Sequence, residues 1–173
     1  MNKDLLEIHS NTKDWLKFAE SKNAMLVAFN AASIYGVSKL PFLNTSEDWG
    51  FWDCYFSIVI ILLITSVCVC LISFVPRVKF MQLSIARIKQ DNSVLFFEHL
   101  GKSTPKQILR DVYNKTSDAK FSELDEDLAT QIHSTARVAS SKYSLFTVAV
   151  WITIIAYVSP PIAIIFFIYN YRK

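Results

Sequence analysis

The sequence predicts an all-α membrane protein with three transmembrane helices and a cytoplasmic helical segment between the second and the third. Three stretches without charge carry that prediction. Residues 54–76, between Asp53 and Arg77, hold no Asp, Glu, Lys, Arg or His and are mostly Ile, Leu, Val, Phe and Cys. Residues 143–171, between Lys142 and Arg172, form a second such run, rich in Ile, Val, Phe, Ala and Trp. The stretch between Lys22 and Lys39 is shorter and milder, with Asn30, Ser33, Tyr35 and Gly36, but its flanking lysines can snorkel to the headgroups and lengthen its reach. A helix rises about 1.5 Å per residue and the hydrocarbon core is about 30 Å thick, so about twenty apolar residues cross it. Of the 173 residues 52% are hydrophobic and 19% charged, a combination that requires apolar and polar blocks to be separated along the chain.

Residues 1–22 alternate Lys3, Asp4, Glu7, Lys13, Asp14, Lys17, Glu20 and Lys22 around Leu5, Ile8, Trp15, Phe18 and Ala19. That pattern predicts an amphipathic helix on or just above the bilayer, with no apolar core of a signal peptide. It continues without a breaker into the first span, residues 23–40, so that one helix is expected from about 4 to 37, stopped by Pro41. Within this span Ala24, Ala28, Ala32 and Gly36 recur every fourth residue and form one narrow ridge of small side chains. Such a ridge lets two helix backbones approach closely in lipid, either against the chain's own second or third span or against another copy. Asn30 lies on another face and is expected to hydrogen-bond between helices.

Residues 41–53 make an external loop and contain no Lys or Arg, whereas the segment after the second span, residues 54–76, opens with Arg77, Lys79, Arg87 and Lys89. Positive residues are retained on the cytoplasmic side, so residues 77–142 and the amino terminus are expected in the cytoplasm of a multi-pass protein of the bacterial inner membrane. Cys54, Cys68 and Cys70 sit in or beside the second span, with no spacing that would frame disulfides or bind a metal.

In residues 77–142, Val78, Met81, Ile85 and Ile88 recur at helical spacing until Asp91 and Asn92. Residues 93–100 are a short aromatic piece, extended or one helical turn. Thr104, Pro105 and Gln107 form a helix start, with a hydroxyl cap, Pro at the first helical position and Gln three residues after the cap, opening a helix to about residue 115. A last helix starts at Ser122, with Glu123, Asp125, Glu126 and Asp127 offsetting its positive end. Leu128, Ile132, Thr135, Ala139 and Tyr143 give it a packing face, and no breaker precedes Ser159, so it is expected to run directly into the third span, residues 143–171. Pro160 and Pro161 should kink that span, since eight residues beyond them are too few to cross back.

Candidate functional residues are few. Glu20 and Lys22 are placed to pair with Arg137 or Lys142 at the membrane boundary. His133 and Arg137, four apart on one helix face, could hold a phosphate. The best anion site on physical grounds is the helix start at Thr104, where free backbone N–H groups lie between Lys102 and Lys106. His9, His99 and His133 are scattered, there is no glycine-rich phosphate loop, and no catalytic set or metal site is expected.

Three blocks together resemble the Pycsar effector family of small bacterial transmembrane proteins. The first is Trp15, Leu16, Phe18, Ala19, Glu20, Lys22, Ala24, Leu26 and Asn30; the second is Phe96, Phe97, Glu98 and His99. The third runs Asp127, Leu128, Ala129, Gln131, Ile132, His133, Ala136, Ala139, Lys142 and Tyr143. Glu20 stands where the family pattern has Asp, and Asn23 interrupts its Lys-Ala pair. The resemblance implies a nonenzymatic antiphage effector that senses a cyclic pyrimidine mononucleotide, cyclic CMP or cyclic UMP, made by a partner cyclase, and then impairs the inner membrane. The partners it implies are the lipid bilayer, the cyclic nucleotide and further copies of the chain, with no nucleic acid and no resident cofactor. A scaffold that recruits a soluble partner through its cytoplasmic helices, without a small ligand, is the competing expectation.

Overall fold

A computed structural model describes residues 3–40, 51–75, 97–113 and 121–171. Among these, every regular element is a helix: α1 (Lys3–Ser38), α2 (Phe51–Phe74), α3 (Phe97–Lys102), α4 (Pro105–Tyr113) and α5 (Glu123–Tyr171). The loop after Pro41, the expected amphipathic stretch over 78–88 and the end of the helix predicted to reach 115 lie outside the described residues. The short aromatic piece proves helical from Phe97 onward. Pro160 and Pro161 lie inside α5, so the final apolar run is one helix rather than a hairpin. Two helices, Trp52–Phe74 and Glu123–Asn170, are long and apolar enough to cross a membrane. Residues 23–40 fall short of that measure because Asn23, Asn30, Ser33 and Gly36 dilute them.

The chain divides into two units, each drawing on α1 and α5. The first combines Met1–Ser21 with Arg77–Ser144 and has the core of a water-facing protein. Leu5 and Ile8 of α1, Leu100 of α3, Ile108 and Leu109 of α4, and Ala129, Ile132, Ala136 and Ala139 of α5 are buried together. Local chemistry sets up the short helices. Thr104 and Gln107 form a reciprocal capping box: the Gln107 N–H donates to Thr104 Oγ1 (3.3 Å) and the Thr104 N–H donates to Gln107 Oε1 (2.8 Å). Ser122 C=O accepts the Asp125 and Glu126 N–H groups at the start of α5, and the Tyr113 hydroxyl donates to Asp125 Oδ2 (2.8 Å). The α3 helix approaches α5 so closely that a Cβ on Gly101 would lie 3.2–3.3 Å from backbone atoms of Ala136 and Arg137.

The second unit, Lys22–Pro76 with Leu145–Lys173, exposes large apolar side chains and buries polar ones beside apolar ones. Its outer surface is apolar: Ile61 and Trp151 are 60% and 61% exposed, with Met25, Phe29, Ile58, Leu71, Ile155 and Ile165 also facing out. Its interior holds Asn23, Asn30, Ser66, Ser73 and Thr153, of which Asn30 and Ser66 are 0% exposed. Only 33% of the apolar window in α2 and 17% of that in α5 is buried. The core helix of a water-soluble domain buries most of its apolar residues; a lipid-facing helix does not.

Candidate functional site

In the second unit the polar interior is built by register. Moving seven residues forward along α1, from Asn23 to Asn30, moves the partner seven residues back along α2, from Ser73 to Ser66, so these helices run antiparallel. Asn30 with Thr153, and Ser33 with the Tyr157 hydroxyl, advance together along α1 and α5, which therefore run parallel. The knot at the centre is fully joined. Asn30 Nδ2 donates to Ser66 Oγ (2.9 Å) and Thr153 Oγ1 (3.1 Å), and Thr153 Oγ1 lies 3.3 Å from Asn30 Oδ1. Ser66 and Thr153 hydroxyls are 2.9 Å apart, and both reach the Ala149 carbonyl, at 2.9 and 3.0 Å. A buried amide can be satisfied only by partners from other elements, and here all three helices supply them.

One layer away, Asn23 Nδ2 donates to Ser73 Oγ (3.1 Å), while Asn23 Oδ1 is buried without a partner among the described residues. In the opposite direction the interior turns apolar, with Val59, Leu63 and Ala156 packed against Ile34, Tyr55 and Leu62. Trp52 closes that end edge-on to Phe167, with ring centroids 5.5 Å apart.

In the first unit, α3 meets the turn of α5 that carries two of the expected ligand residues. His133 Nδ1 lies 3.2 Å from the Leu100 carbonyl oxygen, and Gly101 rests on the backbone of Arg137. Arg137 itself is exposed, as is Lys106 on α4. Lys102, at the end of α3, pairs with Glu98 at 2.8 Å. The Leu100–Gly101 end of α3, just before Lys102, thereby lies against the turn of α5 that carries His133 and Arg137. At the helix start of Thr104 the capping box takes the Thr104 and Gln107 N–H groups, and Pro105 has none, which leaves the Lys106 N–H of that first turn outside the capping box. Glu20 pairs with Lys142 at 2.5 Å, whereas Lys22 lies over the Phe146 ring, 5.8 Å from its centroid.

The small-residue ridge departs from the first of its two expected uses, packing on the chain's own second or third span. Ala24, Ala28, Ala32 and Gly36 are all exposed, and nothing described lies within 4 Å of a Cβ built on Gly36. The ridge does not pack on α2 or α5, because the asparagine face of α1 takes that place.

His9 sits in the first unit with Nδ1 buried and no partner for it among the described residues. Burial first, and Lys13 second, pull its imidazole below the usual pKa. Above pH about 6.5 the residue is neutral folded and unfolded, so nothing is lost; as pH falls below that value the unfolded chain takes a proton that the folded chain resists. Stability of the first unit should therefore fall from pH 7 to 5.5, and His9→Gln should flatten that fall. Parallel melting curves in detergent at the two pH values test this, and equal slopes for both proteins would contradict it.

A family model described as the Pycsar effector protein domain matches residues 4–169, across both units. The chain belongs to the Pycsar effector family. No curated protein and no solved structure matches it. Membership supports an antiphage effector role, with a cyclic nucleotide signal from a cyclase, and together with two apolar helices it supports a membrane location. In this Pycsar effector the residues that sequence reasoning overlooked are Asn23, Ser66, Ser73, Thr153 and Gly101. Ser66 and Thr153 carried a readable signal, as polar groups in the middle of apolar runs.

Proposed function

We propose that the protein is a nonenzymatic effector of the bacterial inner membrane that binds cyclic CMP or cyclic UMP in its first unit and impairs membrane integrity through its second. The observation that carries this reading is the second unit's apolar outer surface around a buried hydrogen-bonded network of Asn30, Ser66 and Thr153, in a chain matched along most of its length to an effector family. Residues 22–38 of α1 span about 25 Å as a helix and bundle through Asn30 with two helices long enough to cross, which supports three spans. The distribution of lysine and arginine along the sequence supports a cytoplasmic amino terminus and cytoplasmic residues 77–142. Lys102, Lys106, His133 and Arg137 supply the positive charge that a monoanionic cyclic phosphate needs.

Thermal-shift measurement on the full chain in detergent, against a panel of cyclic mono- and dinucleotides, tests the ligand. Binding to the folded state at a hundredfold excess over Kd stabilises by about 2.7 kcal/mol, enough for a clear upward shift. Cyclic CMP or cyclic UMP should produce that shift and Lys102→Ala/Arg137→Ala should lose it. A flat response to every nucleotide would sink the ligand half of the proposal.

A further inference from the structure

On all three helices of the second unit the buried polar side chains lie on the same side of the apolar cluster of Val59, Leu63 and Ala156. Asn30 of α1 is followed one turn on by Ile34, Thr153 of α5 by Ala156, and Ser66 of the antiparallel α2 is preceded one turn back by Leu63. Toward Lys22 lie the buried polar side chains, Asn30 with Ser66 and Thr153 and then Asn23 with Ser73, interleaved with the buried Cys70, Ala149 and Leu145. Away from Lys22 lies the apolar cluster, Val59, Leu63 and Ala156. Seven residues of helix separate Asn23 from Asn30, about 10 Å, so the polar part covers roughly a third of a hydrocarbon core about 30 Å thick.

Interhelical adhesion alone does not explain this arrangement. Adhesive polar residues in membranes end with their hydrogen bonds made, as the Asn30 layer does. The Asn23 layer leaves a carbonyl oxygen at 0% residue exposure with no partner among the described residues, the position of a group that a water molecule would satisfy. A column of amides and hydroxyls interleaved with small side chains, ending on an apolar plug, is the arrangement of a passage closed by dewetting: water is admitted beside the polar groups and refused by the constriction.

We infer that the buried stripe of Asn23, Asn30, Ser66, Ser73 and Thr153 is the lining along which water and small ions cross once the effector is activated, and that Val59, Leu63 and Ala156 are its resting seal. The inference rests on the proposed function above and deepens it. The lining consists of amides and hydroxyls without a charged side chain, so the passage conducts cations and anions alike.

The test uses the full chain in phosphatidylethanolamine/phosphatidylglycerol vesicles loaded with a self-quenching dye. Leu63→Ser should leak with no nucleotide present, because a hydroxyl wets the seal. Asn30→Leu should insert normally yet leak about tenfold less than the unaltered protein in cyclic CMP or cyclic UMP, the factor that about 1.4 kcal/mol of added cost for wetting corresponds to. A merely structural role for both residues predicts loss of activity in both, so the opposite signs decide. In a background with Cys54, Cys68 and Cys70 replaced by Ala, Ser66→Cys should react with an impermeant charged methanethiosulfonate only after nucleotide is added, and lipid-facing Ile61→Cys in neither state. Vesicles that leak while Ser66→Cys stays unmodified, or a Ser66→Cys that reacts equally at rest, would overturn the conduit and leave the nucleotide reading standing. Vesicles that stay tight in both nucleotides while Leu63→Ser leaks would overturn the nucleotide reading and leave the conduit standing.

Discussion

Gly101→Val should destabilise the first unit by about 1–3 kcal/mol and abolish the response to ligand while leaving membrane insertion intact. Within a helix, replacing Gly by another residue normally stabilises, by about 1 kcal/mol for Ala, because glycine loses the most backbone freedom on folding. Here that gain is opposed. A Cβ at position 101 would meet the Arg137 nitrogen at 3.2 Å and Arg137 Cα at 3.3 Å, and backbone atoms of a long helix cannot turn aside as a flexible side chain would. The γ-carbons of valine extend the collision. Relief requires α3 to lift from α5, which stretches the 3.2 Å contact between His133 Nδ1 and the Leu100 carbonyl. Gly36→Ala is the matched control, because nothing described lies within 4 Å of its added Cβ and the helix preference is unopposed. Opposite signs for the two substitutions, read as melting temperatures in detergent, are the expected result. A Gly101→Val protein as stable as the parent and still shifted by cyclic CMP or cyclic UMP would refute the close approach as a determinant of the site.

How much of this was legible in the sequence depends on the range of the interaction. The capping box at Thr104 was readable because its partners are three residues apart, and α1 was expected over 4–37 and runs Lys3–Ser38 because no breaker interrupts it. The same residues supported an anion site at Thr104, and reading alone could not decide which acceptor takes those N–H groups; the Gln107 side chain accepts from the Thr104 N–H at 2.8 Å. Asn30 stood out as an amide in an apolar stretch, but its partners Ser66 and Thr153 lie 36 and 123 residues away, and only the register of three packed helices selects them. Gly101 gave no signal, since a close approach is a property of α3 and α5 together. The ridge of Ala24, Ala28, Ala32 and Gly36 states that α1 can be approached closely and does not name the approaching helix.

The two units also differ in what a buried position contributes, and Ile132→Ala exposes the water-facing side of that difference. Ile132 is 0% exposed, on the face of α5 that also presents Ala129, Ala136 and Ala139 to α1, α3 and α4. With three alanines on the same face, Ile132 is the large side chain there that is fully buried, and it packs in one core with Leu5, Leu100, Ile108 and Leu109. Truncation removes three carbons from a site whose small neighbours cannot swell to refill it, so the transfer loss and the cavity add to about 2–5 kcal/mol. The helices most affected should be the short ones, because α3 and α4 have 6 and 9 residues and owe their helical state to docking rather than to propensity. Hydrogen exchange should show it directly, with amides of α4 exchanging roughly thirtyfold faster or more, the factor that about 2 kcal/mol of lost opening energy implies. Leu124→Ala, 69% exposed on the same helix, should stay within about 0.5 kcal/mol of the parent. Protection of α4 unchanged in Ile132→Ala would mean that this core does not hold the short helices, and the contact of α3 with the turn of His133 and Arg137 would need another support.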